Sequence, residues 1–290
     1  MCCIYKNTTF SFFSQVFYYI CLKDCEFFHS LTLTAIFPQH SMKVYLDNNI
    51  FIYIENQTLK LSDIEKLIPR PIDKIFYSAS HIQETLEIKG ENESQRLERI
   101  KLRLKTISEV TKNTYINENL QNEVYEYIES PFEVIKTITE VPTQSIMKSF
   151  MNIVSEEQKK ELRKLMKIDS SQLNHYEPEK VIEHLSNKLI EFGGHSFLDM
   201  IEVGISYHKD GHTFGLSNRI AGIFELLDML GYWKDKATDK SNYARLWDSS
   251  HTFYSSFCDY FISSDKRTIN KAKLIFNLYK IKTEVLSPQL

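Results

Sequence analysis

Apolar and polar positions follow one rhythm at the two ends of the chain and another in its middle. MKVYL, residues 42–46, is a short apolar-rich run closed by Asp47, which predicts a first strand. NNIFIYIEN then turns to helical spacing. LSDIEKLI is a second helix, stopped by Pro69 and Pro71, which lack the N–H a helix requires. Ile75, Phe76 and Tyr77 in DKIFYS predict a second strand, and ASHIQETLEI the helix that follows it. Strand, helix, strand, helix with short connections is the order of a parallel sheet covered on both faces.

Between about residue 91 and about residue 215 the rhythm breaks. ESQRLERIKLRLKTISEV and SEEQKKELRKLMK are charged amphipathic helices. EPEKVIEHLSNKLIEF has proline near its first turn and Gly193-Gly194 after its last, the usual start and stop signals. The segment reads as a long, mainly helical insertion, without internal repeats or a glycine-rich phosphate loop. Alternation then returns. LSNRIAGIFELLDML and SNYARLWDSSHTFYSSFC are helices, the second capped by Ser241; DYFIS is a strand, DKRTINKAKLIFNLYK a helix and TEVLS a last strand. The expected fold is α/β, three-layered, with a central parallel sheet built from both ends of residues 42–290 and the insertion leaving from one side.

The first 41 residues differ from the rest: they are crowded with aromatic residues and hold no arginine. The apolar run at 10–22 is shorter than the roughly 20 residues a spanning helix needs, and it lacks a basic flank and a small-residue cleavage site. A membrane-seeking tail would show a basic amphipathic pattern, which is missing. Residues 1–41 are therefore expected to be an extension outside the domain, which begins at Met42. Cys2, Cys3, Cys21 and Cys25 lie in this stretch and Cys258 stands alone beyond it, so the body of the protein has no pair to bridge. That usage suits a reducing, cytoplasmic setting without a membrane partner. Cys21, Cys25 and His29 have only loose metal-knuckle spacing, and no second pair follows. A net charge of -3 offers no global attraction to polyanions, so nucleic acid would have to meet a local basic patch or a metal ion.

The acidic residues supply the candidate chemistry. Reactive groups of open parallel sheets gather at the carboxyl ends of strands. Asp47 directly follows the first strand, and Asp265 follows DYFIS at short remove. Glu84 lies in the helix after the second strand and Asp248 in the helix before the third. Two unit charges ~4 Å apart repel by about 4 kcal/mol at an effective dielectric near 20, so such a cluster needs a cation or shared protons. Oxygen-only ligands select Mg2+ or Mn2+, which activate water and neutralise a phosphodiester transition state. Glu87 is a rival to Glu84, one turn further from the strand end. Asp259 opens its strand at the opposite edge, where a turn or cap is its natural role.

LDNNIFI resembles the opening motif of PIN-domain nucleases, and FISSD, with its serine two residues before the acid, resembles that family's closing motif. YSASHIQE is similar to the second-motif region of a PIN subgroup. The resemblance covers about residues 42–90 and 217–288 and leaves the insertion unmatched. It implies that Asp47, Glu84, Asp248 and Asp265 are the catalytic, metal-binding acids, and that Asn49 and Ser263 position them. The implied activity is metal-dependent endoribonucleolytic hydrolysis of RNA, toxin-like or defence-associated. An antitoxin or neighbouring regulatory protein and a second copy of the chain are the further partners to consider.

His251, three residues after Asp248 on one helical face, can orient that carboxylate or meet phosphate; a locally hydrogen-bonded histidine is the competing reading. Lys266 and Arg267, with Lys271 one turn on, are expected phosphate contacts. Arg96, Arg99, Lys101, Arg103 and Lys105 form a second basic stripe, for which a solvated helix face is the plain alternative. His208 and His212 around Asp210 lack a third partner and read as a loop. No stacking platform of interleaved aromatics stands out. Two other classes compete. A non-catalytic PIN-like interaction module would act through its helical insertion, but a scaffold has no use for mutually repelling acids. A phosphatase-like α/β hydrolase with Asp47 as nucleophile would need an Asp-x-Asp pair, which is missing.

Overall fold

Val44, Tyr45 and Leu46 are fully buried, as happens when a parallel strand is covered on both faces. They belong to β1 (Met42–Leu46), an inner strand of a four-stranded parallel sheet whose other members are β2 (Ile72–Phe76), β5 (Tyr260–Ile262) and β6 (Glu284–Leu286), in the order β2-β1-β5-β6. This computed structural model describes residues 42–138, 154–235 and 239–289. The N-terminal extension, with its four cysteines and His29, lies outside the described residues, as does the side chain of Ser241. Cys258 is buried and unbridged. No helix among the described residues is long and apolar enough to cross a membrane.

The described chain forms two compact units. The sheet unit takes residues 42–138, 251–269 and 281–289. After β1 come α1 (Asn48–Glu55) and α2 (Leu61–Glu65); after β2 come α3 (Ala79–Leu86) and α4 (Glu93–Thr111). Ile100, Leu104 and Ile107 make one face of α4 and join Val44, Leu46, Phe51, Ile82 and Ile262 in a single apolar core. The antiparallel hairpin of β3 (Thr114–Glu118) and β4 (Val124–Ile128) follows, and a parallel bridge of Tyr77 to Tyr115 ties it to the end of β2. The short helix α5 (Pro131–Thr137) closes the segment. The expected insertion at about 91–215 therefore divides: α4, the hairpin and α5 pack with the sheet, and the helices beyond them form the second unit.

That helical unit holds α6 (Glu156–Leu165), α7 (Ser170–Leu173), α8 (Pro178–Gly193), α9 (Phe197–Ser206) and α10 (Leu216–Leu230). It also takes α11 (Asp239–Ser255) as far as Ser250, and α12 (Lys266–Leu278) from Asn270. Gly231 ends α10 with φ +94, and an added Cβ would lie 2.1 Å from Ser170 Oγ, so only glycine fits there. A buried ion network occupies the unit. Arg245, 1% exposed, pairs with Glu225 at 2.9 Å, Asp228 at 3.2 Å and Asp235 at 3.3 Å. Lys159 reaches Asp228 at 3.1 Å and Lys271 reaches Asp235 at 3.4 Å. Burial pushes the Asp228 carboxyl up, but the charges of Arg245, Lys271 and Lys159 outweigh it and hold the group well below the usual carboxylate range.

Candidate acidic active site

Parallel register brings two distant sequence motifs together. Leu46 pairs with Ile262 and Ile262 with Leu286. The ladder runs one residue further, Asp47 N donating to Ile262 O at 2.9 Å and Ser263 N to Leu286 O at 3.2 Å. Asp47 and Ser263 thus leave adjacent strands side by side. The connection from β1 runs outward to β2 and that from β5 outward in the other direction to β6, so the carboxyl ends of β1 and β5 flank the point where the strand order reverses. Open α/β sheets bind their ligands in the crevice at such a point.

Asp47 is 4% exposed and already well partnered. Its Oδ1 accepts from Asn48 N at 2.7 Å; its Oδ2 accepts from Ser263 Oγ at 2.5 Å and from the Asn49 amide. These fill three of the roughly four lone-pair positions of a carboxylate. Asn49 Oδ1 also accepts from Ser264 N at 3.2 Å, so this one side chain ties the start of α1 to the turn after β5. Burial raises the Asp47 carboxyl above its ordinary range; the charge of His251 and the Ser263 hydrogen bond draw it down, while Glu84 and Asp265 push it further up.

Asp265 is half-buried and caps α12, its Oδ1 accepting from Arg267 N at 2.7 Å and Thr268 N at 3.2 Å. Its own N–H donates to Ser263 Oγ at 3.1 Å, which places Ser263 between the two acids. Glu84, on α3, accepts from His251 Nε2 at 2.8 Å. The charge of Glu84 is among those that act on Asp47. Asp248 is half-buried on α11, one turn before His251, and belongs to the helical unit. Asp47, Glu84 and Asp265 belong to the sheet unit with Asn49, Ser263 and His251.

Several expectations change. His251 is fully buried, with Nε2 2.8 Å from Glu84 Oε2 and Nδ1 2.8 Å from Tyr45 Oη, which leaves neither ring nitrogen for a phosphate. Lys271, 1% exposed, faces Asp235 and lies 5.4 Å from the Phe224 ring centre, so it is withdrawn from phosphate contact. Lys266 is exposed and Arg267 half-buried at the start of α12. The basic stripe of α4 divides: Arg103 is buried and pairs with Glu55 at 2.6 Å, and Arg96, half-buried, donates to the carbonyls of Leu86 and Ile88, while Arg99, Lys101 and Lys105 are exposed, Arg99 donating to Lys89 O at 2.9 Å. Asp259, at the far end of the sheet, accepts from Lys43 N at 2.7 Å, the cap-like role its position suggested.

Sequence reasoning missed Tyr45, Ser78 and His81, which lie behind the acids. Tyr45 Oη is 2.6 Å from Ser78 Oγ and 2.8 Å from His251 Nδ1. His81 Nε2 is 2.8 Å from Leu46 O, and its Nδ1 accepts from Ser78 N at 3.0 Å. A tyrosine inside an apolar strand reads as core, and its hydroxyl was the one available signal.

The chemistry of the donor set suits a hard divalent cation: carboxylate oxygens, one of them on a group raised by its burial and then by the charges of Glu84 and Asp265. Among the described residues, no group of three or more His, Cys, Asp or Glu side chains is arranged to hold a metal ion. The chain matches no protein-family model, no curated protein and no solved structure.

Proposed function

We propose that the protein is a metal-dependent, PIN-like endoribonuclease of the cytoplasm. One observation carries the reading: the buried Asp47, at the carboxyl end of a central parallel strand, is joined through Ser263 to the turn holding Asp265 and feels the charges of Asp265 and Glu84. Carboxylates whose charges act on one another repel, and we read their retention at the strand-end crevice, each held by hydrogen bonds, as a cation site. Asp47, Glu84 and Asp265 would hold Mg2+ or Mn2+, which when bound supplies Lewis-acid activation of water and charge neutralisation at a phosphodiester.

The chain's own residues do the positioning. Asn49 and Ser263 hold the Asp47 carboxylate in one orientation, and the first turn of α12 fixes Asp265 through its backbone N–H groups. Lys266 and Arg267, on that same turn, are the proposed contacts for RNA phosphates. A second reading, a PIN-like interaction module without catalysis, is favoured by the lack of a ready three-ligand group among the described residues.

Incubation of the full chain with total RNA and Mn2+ tests the two. Cleavage by the wild type and its loss in Asp47→Asn is the expected result, with circular dichroism showing the variant folded. Undiminished cleavage in the folded Asp47→Asn and Asp265→Asn variants, or no cleavage by the wild type, removes the nuclease proposal.

A further inference from the structure

A line of buried polar atoms runs from Glu84 into the interior of the sheet unit, and its inner half has no role assigned under the proposed function. Glu84 Oε2 lies 2.8 Å from His251 Nε2, His251 Nδ1 2.8 Å from Tyr45 Oη, and Tyr45 Oη 2.6 Å from Ser78 Oγ. His251, Tyr45 and Ser78 are fully buried, whereas the Glu84 side chain is 22% exposed. The line therefore begins in the dry core and ends where a ligand can reach. Buried polar groups persist in such a place only when each is paired.

The contacts are ordered by what each atom can donate or accept. Leu46 O only accepts, so His81 Nε2 carries a hydrogen and donates to it, leaving His81 Nδ1 to accept from Ser78 N–H. With that lone pair taken, the Tyr45 hydroxyl, 3.5 Å from His81 Nδ1, makes its good contacts to Ser78 and His251. A carboxylate only accepts, so His251 Nε2–H donates to Glu84 Oε2. If His251 Nδ1 is bare, Tyr45 O–H donates to it and Ser78 donates to Tyr45. If Nδ1 carries hydrogen, it donates to Tyr45, which donates to Ser78. In both arrangements the ring is held at both nitrogens and cannot rotate without breaking two bonds.

We infer that Tyr45 is a positioning residue for the acidic site: its hydroxyl, backed by Ser78, clamps the His251 ring, and the ring fixes the orientation of the Glu84 carboxylate. The inference rests on the proposed cation role of Glu84. Packing alone does not call for the hydroxyl, because phenylalanine would fill the same place between Val44 and Leu46 without a polar group to satisfy. Partners that orient a metal-ligating side chain from behind usually change metal affinity or activity about 10–100-fold when removed.

The test is Mn2+ binding to the full chain by calorimetry, independent of RNA cleavage, in wild type, Tyr45→Phe, Glu84→Gln and the double variant. Tyr45→Phe is expected to weaken Mn2+ binding about tenfold or more in the wild-type background and to cause no further loss when Glu84 is already Gln. Equal loss in both backgrounds, or affinity unchanged by Tyr45→Phe while the wild type binds Mn2+, overturns the inference and leaves the acidic site standing. A wild type that binds no Mn2+ overturns the acidic site itself, and this inference with it. Should Tyr45→Phe not fold, His251→Gln and His251→Ala carry the test. The Gln amide can still donate to Glu84, so Gln is expected to bind Mn2+ more tightly than Ala; equal affinities overturn the inference.

Discussion

Asp265 caps α12 and is proposed to hold a cation, and substitution can separate the two roles. As the cap of α12 it accepts two backbone hydrogen bonds, and asparagine caps about as well as aspartate, whereas alanine loses about 1 kcal/mol. Asp265→Asn should therefore keep the melting temperature in metal-free buffer and lose stabilisation by Mn2+; Asp265→Ala should lose both. Thermal denaturation with and without Mn2+ reads the two effects separately, and an Asn variant that retains the full Mn2+ shift counts against a cation role. The acids were legible in the sequence because their signal is local: an acid directly after an apolar strand, and Ser-Ser-Asp after another. Tyr45 was not, because nothing local distinguishes a core tyrosine from one whose hydroxyl meets a histidine 206 positions away.

At the scale of elements, α4 shows how far charge counting can mislead. Arg103 looks like its basic neighbours in sequence, yet it is buried against Glu55 and Asn48 Oδ1, while Lys101 is exposed. Helical geometry places successive residues about 100° apart, so one run of basic residues serves both the interior and the surface. Arg103→Met should cost about 2–3 kcal/mol in urea denaturation by leaving Glu55 buried without its partner. Lys101→Ala should change stability by no more than about 0.5 kcal/mol. The hairpin of β3 and β4 escaped sequence reading for a related reason. The outward positions of β4 carry Tyr125 and Tyr127, both exposed, so the apolar-polar alternation of a one-sided strand is blurred.

The stability of the whole molecule should follow acid pH through the ion network of the helical unit. The folded-state carboxyl of Asp228 lies below its ordinary 3.8, so its contribution is present above about pH 4 and is lost as pH falls from there towards the depressed folded value. Asp228→Asn should destabilise at pH 7 by about 3 kcal/mol, through the buried charges of Arg245 and Lys159 it leaves short of a partner, and should flatten the acid limb of a stability-pH profile. A wild-type profile that is flat from pH 5 to pH 2 removes this account. Asp235 works in the opposite sense, since burial raises its carboxyl, so the slope reports the balance of the two.

The order of the four sheet strands and the helices between their ends, the parallel α/β class and the acids at strand ends followed from the sequence, because apolar periodicity, proline stops and strand-end position are properties of a few consecutive residues. Tertiary structure alone decided that Asp47 stands beside Ser263, that His251 faces Glu84, and that Lys271 is spent on Asp235. Those pairings join residues far apart in the chain, and strand register and burial, which depend on how all elements pack at once, select among partners that look alike locally.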